Sequence, residues 1–201
     1  MTKIDTGAPE RVLPTPSHTV GPFYGYALPF PGGEDIAPAG HPRTITLQGH
    51  VYDGEGEPLP DAFLELWGPD PDGNLPRVDG SMRRDPASGG FLGRNGVEFT
   101  GFGRIQVDAN GHWAARTLRP GARGQSAPYI SVCLFARGLL VHLFTRIYLP
   151  GSNAAWSTDP LLSRLDEKRR GTLIADDEGN STYRFDIRLQ GEDETVFLEF
   201  T

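Results

Sequence analysis

The residues of this sequence with the most catalytic potential are its histidines. There are five of them: His18, His41, His50, His112 and His142. No two are two or four residues apart, the spacings that bring a pair of metal ligands together on one strand or helix. A metal site built from neighbouring histidines is therefore not expected, although ligands could still converge from distant strands.

The remaining reactive side chains form no catalytic constellation. The sequence has no Walker-type loop, no dinucleotide-type glycine fingerprint and no cysteine pairs at zinc spacing. Cys133 is the only cysteine, so an internal disulfide cannot form. It lies in an apolar run, which is typical of a small buried hydrophobe. His142 lies in an apolar strand, a setting more typical of a core histidine than of a catalyst. Ser131 has no neighbouring base to activate it.

Length and charge exclude several classes of protein. With 201 residues and 37% hydrophobic content, the chain suits a single domain spanning 1–201. Its net charge of -7 and scattered basic residues argue against nucleic acid as a partner. No window approaches the run of about 18 apolar residues that spans a bilayer, and residues 1–10 lack a signal-peptide core. We therefore expect a soluble, cytoplasmic protein with no membrane association.

The elements that must position any site are mostly strands. Short apolar runs alternate with turns rich in Gly and Pro, which is typical of an all-β fold. A Gly-rich turn at 53–56 and an Asn-Gly turn at 108–111 each predict two strands joined as a hairpin. The predicted strands cover 45–51, 62–67, 104–107, 112–117, 130–135, 139–149, 181–189 and 195–200. Together they predict a β-sandwich of mostly antiparallel strands.

Two segments depart from this strand pattern. Residues 1–43 carry prolines that prevent regular ladders and exposed aromatics that need a surface, so we expect an N-terminal arm packing on a partner and a sandwich over 44–201. The loop at 31–34 is either part of this arm or mobile. Asp159 followed by Pro160, with leucines at helical spacing before Gly171, predicts one short C-terminal helix.

Nine segments in chain order resemble the intradiol ring-cleavage dioxygenases. Two of them are distinctive, the Phe-Ala-Arg-Gly segment at 135–138 and the Tyr-Arg-Phe-Asp-Ile segment at 183–187. The nine lie at 19–24, 49–54, 61–67, 102–104, 108–111, 118–121, 134–138, 145–148 and 183–187. Because they cover nearly the whole chain in one order, the chain is identified as a member of that family.

The resemblance also implies where iron ligands would stand. Catalytic chains of this family hold a non-haem ferric ion with two tyrosinates and two histidines, the histidines in a His-x-His segment. By the resemblance, the corresponding positions here are Phe91, Arg123, Tyr129 and Ser131. Phenylalanine cannot ligate iron, serine is a poor ferric ligand, and arginine repels a cation, so that at most Tyr129 remains a possible donor. The resemblance thus implies that this chain holds no metal and supplies no catalytic residue of its own.

A member without ligands is similar to the α-type chains of two-chain intradiol enzymes, whose β subunit binds Fe(III). The resemblance then implies cleavage of 3,4-dihydroxybenzoate with O2 to 3-carboxy-cis,cis-muconate, in a higher-order oligomer of α–β pairs. It also implies that this chain lends Gly21, Pro22, Arg137 and, more weakly, Thr19 to the substrate pocket. The alternatives without a role in binding are an extended turn at Gly21-Pro22 and an exposed hairpin tip at Arg137.

Two other functions remain open at this point. One is a stand-alone intradiol dioxygenase that acts on catechol-type substrates with unusual ligands. The other is a non-catalytic β-sandwich module that binds a partner. Iron content separates the first from the α-type interpretation, and activity restored by an iron-containing partner separates the second.

Overall fold

Short strands dominate the computed structural model, which describes residues 24–78, 83–151 and 153–200. The helices are α1 (Tyr24–Ala27), α2 (Asn153–Thr158), a 3-10 turn (Leu162–Arg164) and α3 (Glu167–Gly171). The strands are β1 (Thr44–Tyr52), β2 (Phe63–Trp67), β3 (Arg83–Arg84), β4 (Phe91–Gly93), β5 (Phe102–Gln106), β6 (His112–Leu118), β7 (Tyr129–Phe135), β8 (Leu143–Tyr148), β9 (Asp176–Gly179), β10 (Thr182–Arg184) and β11 (Ile187–Arg188). No helix among the described residues has the length and apolarity to cross a membrane.

The strands form two main sheets. In the first, β6 and the β10 and β11 strands flank β1, and β9 pairs with β10. The second sheet has the order β5-β2-β7-β8, and β3 and β4 form a small separate ribbon. Only the pairs of β1 with β10 and β11 are parallel among the described strands; the other pairs are antiparallel. The predicted mostly antiparallel β-sandwich is confirmed.

The core lies between the inner faces of these two sheets. Alternating residues of β1, including Leu47 and Val51, are fully buried, as are Leu64 of β2 and Leu134 of β7. These side chains belong to one continuous apolar cluster. Burial of such side chains removes apolar surface from water and is the main driving force for holding the two sheets together.

Both hairpins predicted at the turns 53–56 and 108–111 are wrong. The chain crosses from one sheet to the other at each of these turns, because β1 and β2 lie in different sheets, and so do β5 and β6. At the second turn, the Asp108 carboxylate accepts hydrogen bonds from the backbone N–H groups of Asn110 and His112, which stabilises a reversal within the loop itself. Turn residues therefore specified a change of direction but not the strand that pairs next.

The strands around Arg137 were predicted more accurately. β7 and β8 pair antiparallel, with Ser131 opposite Arg146. However, β8 begins at Leu143, so His142 precedes it and is exposed, and the expectation of a core histidine there was wrong. The imidazole instead packs edge-on against the Phe144 ring at 4.6 Å between centroids. Near the C-terminus, 195–200 forms only an isolated bridge, from Leu198 to Phe144.

The predicted short C-terminal helix is present as α3, which ends at Gly171 as expected but begins only at Glu167. Asp159 does accept hydrogen bonds from the N–H groups of Leu161 and Leu162, but only a 3-10 turn follows. Leu165 then adopts an extended conformation with ψ of 141°, and Asp166 caps α3 by accepting from the Arg169 N–H. The second cap offers the backbone an alternative to continuing the first helix, and the segment divides into short pieces.

Residues 24–43 pack against the sheets of this same chain. The backbone N–H groups of Ile36 and Ala37 donate to the Arg116 carbonyl of β6, and the Arg104 N–H of β5 donates to Gly33. The carboxylate of Asp35 forms an ion pair with Arg116. This part of the predicted arm, including the 31–34 loop, is therefore anchored on its own sandwich, and packing on a partner stays a prediction.

Candidate functional site

Three of the four positions aligned with iron ligands border one cavity. It has a volume of about 190 Å³ and lies at one end of the second sheet. Its wall includes Trp67, Leu75, Arg123, Ala127, Tyr129 and Ser131. The fourth position, Phe91, is not part of this wall; its ring lies 5.5 Å from that of Phe30. The structure thus brings together Arg123, Tyr129 and Ser131 and leaves Phe91 apart.

Strand register places the aromatic and hydroxyl groups of this cavity. Trp67 of β2 pairs with Ser131 of β7, so their side chains lie on the same face of the sheet. Tyr129 lies two residues before Ser131 and shares that face, which is the outer one, because Ile130 and Val132 point into the core. The loop carrying Arg123 packs closely against the backbone of Pro71 and Gly73 at Gly121, where a Cβ atom would overlap that backbone.

The donors at this cavity do not suit a ferric ion. Arg123 is a permanent cation, Ser131 is a neutral hydroxyl, and only the phenol of Tyr129 resembles a ferric ligand. Within the described parts of the chain, no group of three or more His, Cys, Asp or Glu side chains could hold a metal ion. The cavity therefore offers one phenol, one aliphatic hydroxyl and one cation as its polar side chains, apart from Trp67.

A buried hydrogen-bond network supports the floor beneath Tyr129. The Arg146 guanidinium lies 4.1 Å from the centroid of the Tyr129 ring and donates to the Tyr148 hydroxyl at 3.0 Å. Tyr148 donates in turn to the fully buried Asp159, which also accepts from the Ala127 N–H. Burial raises the pKa of Tyr148 to about 12, so its phenol remains protonated at neutral pH. The network therefore holds Arg146 against the Tyr129 ring, and its own tyrosine, Tyr148, does not become a tyrosinate.

Arg137 lies at the opposite end of the same sheet. Its Nε atom is 3.0 Å from the Asp61 carboxylate, and its side chain is 69% exposed. The Tyr24 hydroxyl donates to the Asp61 carbonyl at 2.6 Å. Burial, followed by the Asp61 charge, raises the pKa of Tyr24, and Arg137 partly offsets this effect. Arg137, Asp61 and Tyr24 thus form one cluster where the N-terminal segment meets the tip of the β7–β8 hairpin.

The distance between the two sites follows from the strand itself. Phe135 is four positions after Ser131, which corresponds to roughly 13 Å in extended conformation, and Arg137 lies beyond that strand end. Arg137 therefore does not serve the cavity of its own chain. Of the other predicted pocket residues, Thr19, Gly21 and Pro22 lie outside the described residues, and Tyr24 is the first described residue after them.

Sequence reasoning missed Asp61 and Trp67. Both follow from the register of β2 and β7: Phe63 pairs with Phe135, so Asp61 and Arg137 lie two residues beyond that pair on either strand. At the other end of the strands, the same register places Trp67 opposite Ser131. The signal was present only in the pairing of two strands that are more than sixty residues apart in sequence.

Comparisons with known proteins agree with this architecture. The family model described as Dioxygenase (Dioxygenase_C) matches residues 21–191. The chain is 38% identical to the protocatechuate 3,4-dioxygenase alpha chain of Burkholderia cepacia, covering 92% of this chain and 96% of that one. It is 28% identical to the beta chain from the same organism, covering 83% and 78% of the two chains.

A solved structure extends the agreement to the fold. The dioxygenase domain of a carbohydrate-binding fusion protein from Streptomyces sp. SirexAA-E superposes with a TM-score of 0.58 at 23% identity, covering 91% of this chain and 99% of that domain. At this identity the likeness concerns the fold alone. From the family match over most of its length and the 38% identity to a curated relative, the chain belongs to the intradiol dioxygenase family.

Proposed function

We propose that this chain is the α subunit of a protocatechuate 3,4-dioxygenase. With an iron-carrying β subunit, it takes part in the intradiol cleavage of 3,4-dihydroxybenzoate by O2 to 3-carboxy-cis,cis-muconate. The observation that carries this proposal is the 38% identity to an alpha chain over nearly the full length of both proteins, against 28% to the beta chain. The chain is proposed to act in the cytoplasm, in an oligomer of α–β pairs.

The chemistry of the donor set supports this division of labour. The cavity at Arg123, Tyr129 and Ser131 offers a cation and two hydroxyl groups. A stand-alone enzyme would need several anionic or imidazole donors at that place. In the proposed complex, the iron bound by the partner supplies charge stabilisation and a template for substrate and oxygen. This chain contributes by holding the substrate and excluding water.

Arg137 is proposed to bind the carboxylate of the substrate. A guanidinium has five N–H donors and remains charged, so an ion pair through Nε to Asp61 leaves other donors for a second carboxylate. Its exposure at the hairpin tip, away from the cavity of its own chain, suits a residue that reaches into a site on another chain. Gly21, Pro22 and Thr19 are proposed to complete the same wall.

Reconstitution tests the proposed function. The chain is purified alone, its β-type partner is purified alone, and the two are co-expressed and purified together. We expect oxygen uptake with 3,4-dihydroxybenzoate only in samples that contain the partner. The rate should be highest for the co-purified pair. Ring cleavage by this chain alone would indicate a stand-alone enzyme, whereas an inactive pair would indicate a non-catalytic module.

A further inference from the structure

We propose that the cavity between Trp67, Arg123, Tyr129 and Ser131 binds a small aromatic carboxylate, a ligand with one ring and one negative charge. Its volume is about 190 Å³. An apolar protein cavity of about 150 Å³ holds one benzene molecule, whereas drug-sized ligands occupy pockets of about 300 to 1,000 Å³. The space suits one ring with a short polar substituent.

Charge selects an anion for this cavity. Arg123 is exposed in the wall, and its guanidinium makes no hydrogen bond or ion pair with any other residue in the described ranges. The residues of the wall include no aspartate or glutamate, although the chain as a whole has a net charge of -7. An arginine without a carboxylate partner attracts an anion and can bind a carboxylate through two parallel hydrogen bonds.

Polar groups and aromatic rings complete the recognition surface. The Tyr129 hydroxyl, the Ser131 hydroxyl and the Trp67 indole N–H have no hydrogen-bond partner among the described residues. The Trp67 side chain is 43% exposed, so part of its ring is available for stacking. Arg146 fixes the Tyr129 ring from the β8 strand. A few converging polar groups on an aromatic wall are typical of a small-molecule site.

This site is separate from the pocket proposed for catalysis. Arg137 lies beyond the far end of β7, so a ligand at Arg123 cannot contact it. The proposal depends only on the cavity and its lining, not on the proposed function. A chain that fails to support ring cleavage could still bind an aromatic carboxylate here, and the reverse also holds.

Calorimetric titration with three probes tests the chemistry of the ligand. The full-length chain is titrated, alone and co-purified with its partner, with 4-hydroxybenzoate, 4-hydroxybenzamide and acetate. The first has both ring and charge, the second has the ring alone, and the third has the charge alone. We expect saturable binding of 4-hydroxybenzoate by the chain alone, with the other two at least about tenfold weaker.

Variants place the binding in the cavity. Arg123→Gln removes the charge without breaking a hydrogen bond or ion pair to any described residue, so it should fold normally and weaken 4-hydroxybenzoate binding about tenfold. Arg164→Gln, at another exposed arginine outside the wall, is the matched control and should bind as the wild type does. Ser131→Val, which fills part of the cavity while keeping Arg123, should also weaken binding.

Three outcomes would overturn the proposal. The first is no saturation by 4-hydroxybenzoate in the millimolar range for the chain alone. The second is equal affinity for all three probes, because ring and charge would then not be recognised together. The third is unchanged binding by both Arg123→Gln and Ser131→Val when circular dichroism shows that each variant is folded.

Discussion

Replacing Arg137 by glutamine removes the charge that this chain is proposed to offer to the substrate carboxylate. The side chain is 69% exposed and pairs with Asp61 at 3.0 Å. Because exposed ion pairs contribute about 0 to 1 kcal/mol, the free energy of unfolding should change by less than about 1 kcal/mol. A hydrogen bond to a charged group contributes about 1.5 to 3 kcal/mol. At about 1.4 kcal/mol per tenfold, kcat/KM of the α–β complex should fall roughly 10- to 150-fold.

The assay is oxygen uptake by the purified complex with two substrates. With 3,4-dihydroxybenzoate, KM should rise and kcat should change little, because the carboxylate contact exists both before and during the reaction. With catechol, which has no carboxylate, the variant and the wild type should be alike. Arg164→Gln serves as the matched control. An equal loss on both substrates, or no loss on either, would refute the role assigned to Arg137.

Four further predictions concern stability and reactivity. Asp159→Ala should lower the free energy of unfolding by roughly 3 kcal/mol or more in urea, because several buried N–H groups, including that of Ala127, lose their acceptor; a loss below about 1 kcal/mol would contradict this. Burial raises the pKa of the Cys133 thiol to about 12 from an ordinary value of 9.0. The folded chain should therefore resist iodoacetamide at pH 8 and react once unfolded; reaction at equal rates would argue against burial. Since the unfolded thiol loses its proton first, Cys133 should also reduce stability as pH rises above 9, a slope that urea midpoints should show and Cys133→Ala should lessen. Gly49→Ala should strongly lower Tm, because a Cβ there would overlap the Phe185 carbonyl, while Gly171→Ala, with open space around it, should not; similar melting of both would count against this packing.

Local patterns predicted much of the fold because they depend on neighbouring residues. The alternation that predicted a strand at 45–51 corresponds to buried Leu47 and Val51 in β1. The β7–β8 hairpin followed from two apolar runs around a short turn. The turns at 53–56 and 108–111 gave no comparable guide, since whether the next strand joins the same sheet depends on contacts between distant parts of the chain.

The residues of the candidate site were predictable only where the resemblance to the dioxygenase family supplied aligned positions, because the sequence alone does not give the pairing of distant strands. The aligned ligand positions led to Arg123, Tyr129 and Ser131, which do meet around one cavity. Nothing in the local sequence indicated that Asp61 would pair with Arg137, because that contact depends on the register of β2 against β7. The short C-terminal helix begins later than predicted because Asp166, rather than Asp159, caps α3.

The iron content of the co-purified complex and of this chain alone, determined by elemental analysis against chain concentration, decides whether this chain binds the metal. We expect about one iron for every two chains in the complex and essentially none in this chain alone, because the donors at Arg123, Tyr129 and Ser131 do not suit a ferric ion. Stoichiometric iron in this chain alone would show that this chain binds the metal itself and is not an iron-free subunit.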